Sequence, residues 1–141
     1  MTIKFSDVVV GQELPALDLT FTRADLVAYA HASGDLNPIH QDEEFAKSVG
    51  LPDVIAHGML TMGRAIQVVT NWVGDPTAVI DYSVRMTRPV IVPDTAAGSV
   101  VSFSGKVAQI NDDGTIQVEL GAIFGDVKVL GLAKATVRLA Q

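Results

Sequence analysis

The clearest chemistry lies in Asp35-Leu36-Asn37-Pro38-Ile39-His40. A carboxylate beside an imidazole can hold opposite protonation states near neutral pH. Such a pair suits a reaction that removes one proton and delivers another. On a helix, a spacing of five residues would splay the two side chains. Pro38 breaks any helix here and pushes Asn37 toward extended geometry, so an irregular loop can turn both groups to one point. Asn37 is suited to hydrogen-bond the loop backbone and hold the pair. A plainer reading stays open from the residues alone. An Asp after a glycine-capped helix, an Asn-Pro turn and a structural histidine are each ordinary.

The flanking elements must position this loop. Thr22 can cap a helix, with Asp25 at its third position, and the helix runs to about Ser33. Its inner face would be Leu26, Tyr29, Ala30 and Ser33, and Gly34 would end it in the left-handed conformation. Asp42 can cap a second short helix, with Glu43 and Glu44 in its first turn and Gly50 beyond its end. A loop over 51–55 leads into a long apolar helix from His57 to Val73, with a predicted stripe of Met59, Met62, Ile66, Val69 and Val73. The stretch Val54–Val73 is long enough for a membrane span. It carries His57, Arg64, Gln67 and Asn71, so it reads as a core helix.

After Pro76 the period changes to two. Strands are expected over Val79–Arg88, Val101–Val107, Ile116–Leu120 and Ala133–Leu139, with turns at Asn111–Gly114 and Gly125–Asp126. The Ile3–Leu19 stretch reads as two short strands. Helices followed by antiparallel strands with one polar face predict an α+β chain forming a single domain over residues 1–141.

Composition narrows the function classes. Of 141 residues, 48% are hydrophobic and 18% charged, enough apolar surface for one packed core. The net charge of −6 argues against nucleic acid or an anionic membrane as partner. Without cysteine there is no disulfide, cysteine-ligated zinc, iron–sulfur cluster or thiol nucleophile. Met1–Val10 carries Lys4 and Asp7 and lacks a long apolar core, so no signal peptide is read and a cytoplasmic location is expected.

The run Tyr29-Ala-His-Ala-Ser-Gly-Asp-Leu-Asn-Pro-Ile-His40, with Ala46 after it, resembles the hydratase-2 signature of the MaoC-like dehydratase family. Ala56-His57-Gly58-Met59 resembles that family's second motif. Arg88-Pro89-Val90 and Val92-Pro93-Asp94-Thr95 resemble its usual connection between strands. Within the family, Ser33–His40, Ala56–Gly63 and Trp72–Pro76 are most like dehydratases that act on acyl-carrier-protein thioesters. The resemblance implies a hot-dog fold, an antiparallel sheet wrapped around one long central helix. It implies reversible dehydration of a (3R)-3-hydroxyacyl thioester to the trans-2-enoyl thioester, in fatty-acid or mycolic-acid elongation. An (R)-specific enoyl-CoA hydratase of β-oxidation or polyester precursor supply is the alternative. A non-catalytic hot-dog partner subunit fits less well, because such subunits typically lack the Asp and His kept here.

Carried onto this chain, the resemblance makes Asp35 and His40 catalytic and Asn37 a positioning residue. Gly58, at the helix start, becomes the backbone donor to the thioester oxygen. His57 is a candidate substrate contact, although a structural role at the helix N-terminus is the stronger reading. No cofactor or metal is implied, and Asp42, Glu43 and Glu44 read as first-turn acids. His31 reads as surface or packing. Arg64 could face the acyl channel, a partner or a carboxylate. Arg85, Arg88 and Lys106 could meet carrier phosphates, although a solvated face explains most of them. Some family hydratases carry a serine where this chain has Ile66. The expected partners are an acyl thioester on a carrier protein or CoA, and a second hot-dog subunit in a homodimer or heterodimer, because open sheet edges tend to pair.

Overall fold

A computed structural model describes residues 2–141. The first helix, α1 (Arg23–Ser33), starts on a complete capping box. The Thr22 side chain accepts from the Asp25 N–H, and the Asp25 carboxylate accepts from the Thr22 N–H. The helix ends at Gly34 with φ of 80°. Leu26 and Ala30 of its predicted inner face are buried, while Ser33 is exposed. Asp42 caps α2 (Glu43–Ser48), accepting from the Phe45 N–H.

The central helix is two segments, α3 (Gly58–Ala65) and α4 (Gln67–Val73), parted at Ile66. The Tyr82 hydroxyl donates to the Met62 carbonyl at 2.8 Å. That carbonyl also accepts the Ile66 N–H, at 3.3 Å. A side chain entering the helical ladder is a known cause of a break, and Tyr82 supplies it. The predicted stripe needs correcting as well. Thr61, Ala65, Val68, Val69 and Val73 face the core, and Met59 is 61% exposed. The segment is apolar on most sides, so periodicity alone does not fix its rotation. The small residues at 61 and 65 turn inward.

Six antiparallel strands form one sheet: β1 (Glu13–Phe21), β2 (Val79–Met86), β3 (Ser99–Ile110), β4 (Thr115–Phe124), β5 (Val127–Lys128) and β6 (Leu130–Arg138). The order is β1-β3-β4-β6-β2, with β5 paired to β4. The two short N-terminal strands expected from sequence are instead one strand, β1, preceded by a 3-10 turn at Phe5–Asp7. The β1–β3 register shifts between Leu14 and Leu17, where Pro15 falls. A proline cannot donate to a ladder, so it sits at a bulge on an edge strand.

The sheet packs around α3–α4 in the hot-dog arrangement. Phe21, Phe103, Val101, Val107, Ile116 and Val118 meet Val68 and Val69 in one core. Gly105 sets how closely the helix approaches. A Cβ there would lie 3.0 Å from the Val68 side chain and 3.3 Å from that of Leu14. The layers of this α+β domain therefore fix the start of α3 against the end of β2, and the site lies between them.

Candidate active site

Local hydrogen bonds hold the Asp35–His40 loop. The Asp35 N–H donates to Ser33 Oγ, the Asn37 N–H to Asp35 Oδ1, and the Ile39 N–H to Asn37 Oδ1, each at 3.2 Å. Short polar side chains bonding the backbone two residues on make compact turns of this kind. Asn37 thereby caps the 3-10 turn Pro38–His40. The turn delivers His40 inward, where its side chain is 9% exposed, while that of Asp35 is 52% exposed.

A second segment fixes the His40 ring. Residues 54–56 run beside 90–92: the Ala56 N–H donates to the Val90 carbonyl and the Val92 N–H to the Val54 carbonyl. The Ile55 N–H donates to the Ile39 carbonyl, and the Ile55 carbonyl accepts from His40 Nδ1 at 2.7 Å. A carbonyl only accepts, so the ring hydrogen is on Nδ1 and the Nε2 lone pair is free. That Nε2 lies 3.9 Å from Asp35 Oδ2. The gap is too long for a direct hydrogen bond and admits one oxygen atom bonded to both groups. Burial pushes the His40 pKa below its ordinary value. The Ile55 hydrogen bond opposes that shift, His57 adds to it, and Asp35 also opposes it. His40 is thus a neutral ring with an available base.

His57 is 2% exposed and stacks on His40, with centroids 3.8 Å apart and planes 23° apart. Its Nε2 donates to the main-chain carbonyl of Asp35 at 3.1 Å. Asp35, His40 and His57 each bring one ligand-type atom within 4.8 Å of the others. The rings are stacked, and each commits one N–H to a main-chain carbonyl. That arrangement suits hydrogen bonding better than a shared ion.

A cavity of about 350 Å³ opens from His40, bounded by Gly58, Thr61, Met86, Arg88 and Leu130. Gly58 begins α3, and its N–H finds no carbonyl among the described residues. A free N–H at a helix N-terminus is a ready donor to a developing oxyanion. The Met86 side chain packs on the Gly58 Cα, so that an added Cβ would lie 3.2 Å from Met86 Cγ. Asp35 and His57 lie outside the lining, Asp35 on the solvent side.

The remaining candidates separate in space. Arg88 lines this cavity and an adjoining hollow of about 750 Å³ that also holds Lys128. Arg85 and Lys106 lie elsewhere on the sheet. Arg64 does not line the cavity, and of the expected options it meets a carboxylate. It donates to the Thr20 carbonyl, pairs with Asp25 at 3.4 Å and covers the Phe21 ring at 4.4 Å, tying α3 to β1 and α1. His31 is exposed in the last turn of α1. Glu43 pairs with Lys47, and Ile66 packs against the core at the helix break. Two residues near the site carry no sequence signal. Arg23 donates to the Val92 carbonyl and to Asp53, fixing the segments that hold Ile55. Thr61, buried on α3 with its hydroxyl donating to the His57 carbonyl, lines the cavity. No motif marks either one, because the partners of Arg23 and most of the cavity lining are distant in sequence.

A profile described as the MaoC like domain matches residues 6–122. The chain belongs to this family. A MaoC-like dehydratase of known structure superposes on 99% of the chain with a TM-score of 0.94 and 47% identity, and the chain covers 43% of it. The ChsH1-ChsH2 complex from Mycobacterium tuberculosis gives a TM-score of 0.80 at 26% identity, over 93% of this chain and 98% of the matched one. Among curated relatives, 3-hydroxyacyl-thioester dehydratase X of Mycobacterium tuberculosis is 42% identical over 91 residues, 64% of this chain. This MaoC-like chain spans only 31% of that protein's length. The (R)-specific enoyl-CoA hydratase of Rhodospirillum rubrum is 32% identical over 97 residues, 68% of this chain and 67% of the relative. Among the described residues no helix is long and apolar enough to cross a membrane.

Proposed function

We propose that this chain is a hydro-lyase that interconverts (3R)-3-hydroxyacyl and trans-2-enoyl thioesters. The observation that carries the reading is the His40 ring at the end of the cavity, fixed by Ile55, with its free Nε2 3.9 Å from the Asp35 carboxylate on the solvent side. The substrate hydroxyl would occupy the gap between the two groups, hydrogen-bonded to Asp35. In dehydration His40 Nε2 takes the C2 proton, and the C2–H electron pair moves toward the thioester. Negative charge then gathers on the thioester oxygen, where the Gly58 N–H meets it. The electrons return as the C2=C3 double bond, the C3–O bond breaks, and the proton on Nε2 leaves with the hydroxyl as water. The net change is one water lost, and the enzyme ends as it began. This chemistry calls for no redox cofactor.

Resemblance to dehydratases of acyl-carrier-protein thioesters favours a carrier-protein substrate, in fatty-acid or mycolic-acid elongation. The likeness to an (R)-specific enoyl-CoA hydratase supports the second reading, the same chemistry on CoA thioesters. Comparing turnover on the two carriers separates them. Activity confined to short CoA substrates would sink the first.

The exposed edge strand β2, with Ile80 and Met86 open beside an exposed Met59, supports pairing with a second hot-dog subunit. The likeness to one chain of a two-component complex supports either a homodimer or a heterodimer. The test of function is hydration of crotonyl-CoA and a long trans-2-enoyl thioester by the purified chain, with chiral analysis of the product. The (3R) alcohol should form, and His40→Ala and Asp35→Asn should abolish it. Full activity in both variants would overturn the assignment.

A further inference from the structure

We propose that His57 is a positioning residue, which holds the Asp35 main chain through its Nε2–H and the His40 ring through its face, keeping the reacting pair turned to one another. The inference rests on Asp35 and His40 being that pair. His57 is buried and does not line the cavity, so it can act on the reaction only through its neighbours.

Three contacts define the role. The Asp35 carbonyl, 3.1 Å from Nε2, can only accept, so the His57 hydrogen is on Nε2. The stacked His40 carries its own hydrogen on Nδ1 for the Ile55 carbonyl. The two rings therefore hold opposite tautomers, each set by a main-chain carbonyl from a different segment. Tyr29 of α1 closes the third side edge-on, with centroids 4.7 Å apart. Tyr29, Asp35 and His40 are thus the titratable groups against this ring.

A purely structural histidine at a helix N-terminus would cap it. The His57 side chain makes no capping bond, and its Nδ1 is buried without a partner. An aromatic hydrocarbon would fill the same space without that unpaired atom. What imidazole adds is the Nε2–H, and its acceptor belongs to the residue bearing the carboxylate. An unsatisfied buried atom in a native fold calls for such an explanation.

The test compares His57→Phe, which keeps a ring face and loses the donor, with His57→Gln, which restores an amide N–H at similar reach. Crotonyl-CoA hydration gives kcat and KM, and the Asp35 carbonyl 13C shift reports the hydrogen bond without reference to activity. In His57→Phe, kcat should fall about 10–100-fold. KM should stay within about twofold, and the Asp35 carbonyl should shift to its unbonded value. His57→Gln should restore the shift and recover part of kcat, the remaining loss reporting the missing ring face against His40. Equal losses in the two variants, or an unchanged carbonyl shift in His57→Phe, would overturn the proposal. If His57→Phe does not fold, the wild-type 15N spectrum decides: His57 must show the Nε2–H tautomer, and an Nδ1–H tautomer overturns the role. Absence of turnover by the wild type would count against the hydro-lyase reading, while the carbonyl shift and the tautomer would still judge His57.

Discussion

Removing Arg23 tests whether the site is held from a distance. Its Nε donates to the Val92 carbonyl at 2.6 Å and its Nη2 to Asp53 Oδ1 at 2.7 Å. Both ionic side chains are 18% exposed, so water competes weakly for these bonds. Glu43, 3.6 Å away and 45% exposed, adds little. A hydrogen bond to a charged group is worth roughly 1.5–3 kcal/mol. In Arg23→Met the aliphatic stem still packs, and Asp53 keeps its bond from the Val54 N–H. Residual exposure screens part of the ionic gain, so a net loss of about 2 kcal/mol is expected. With a urea m-value of roughly 1–3 kcal/mol/M, the midpoint should fall by about 1 M at unchanged m. Asp53 lies next to the 54–56 segment that fixes His40, so amide exchange at Ile55 should accelerate more than exchange in β3 or β4. A midpoint lowered by less than about 0.2 M would refute the reasoning. So would a drop that leaves Ile55 exchange unchanged relative to the sheet.

Two further expectations follow from the site. His40 is held below its ordinary pKa of 6.5, chiefly by burial. The unfolded chain therefore binds this proton at higher pH than the fold does. Its contribution to stability is complete above 6.5 and is lost as pH falls from 6.5 through the lower folded value. The base form also persists below 6.5, so the acid limb of kcat/KM should lie beneath that value. Unfolding free energies and rates between about pH 4 and 8 check both; an acid limb above the ordinary histidine range would contradict the geometry. In Gly58→Ala the atoms nearest the new methyl belong to the flexible Met86 side chain, at 3.2 Å, so stability should change by less than about 1 kcal/mol. Activity should fall as Met86 is pushed into the cavity, and Met86→Ala in the same chain should restore part of it. A double variant no better than Gly58→Ala would place the damage at the N–H itself.

What was legible in the sequence is what neighbouring residues decide. The boundaries of α1 follow from Thr22, Asp25 and Gly34, which act within a few residues of one another. The loop from Ser33 to His40 is held by bonds that skip one residue, so its shape is local too. The rotation of α3 and the break at Ile66 were not legible. The first depends on which side chains fit against the sheet, and the second on a hydroxyl from β2. Arg64 shows the same limit. Its place in an apolar segment leaves its partner open, whereas its acceptor at Thr20 is 44 residues away. The Ile3–Leu19 stretch reads as two short strands, whereas Pro15 falls at a bulge within the single strand β1, which tolerates it because that strand is an edge.

The same division runs through the site. One wall is rigid: His40 is buried, its tautomer is fixed by Ile55, and the Ile55 segment is tied to 90–92 and through Arg23 to α1. Proton transfer needs that rigidity, because small displacements of the base cost rate. The opposite wall is soft. Met86 lies at the end of an edge strand and is 46% exposed, and Thr87 and Arg88 beyond it are exposed too. A flexible thioether side chain on an open edge can adapt to acyl groups of different shape. A subunit seated on β2 would rest against this wall and leave the His40 wall untouched. On this geometry, changes at the β2 edge should alter which acyl chain is accepted, while changes around His40 should alter whether any acyl chain reacts.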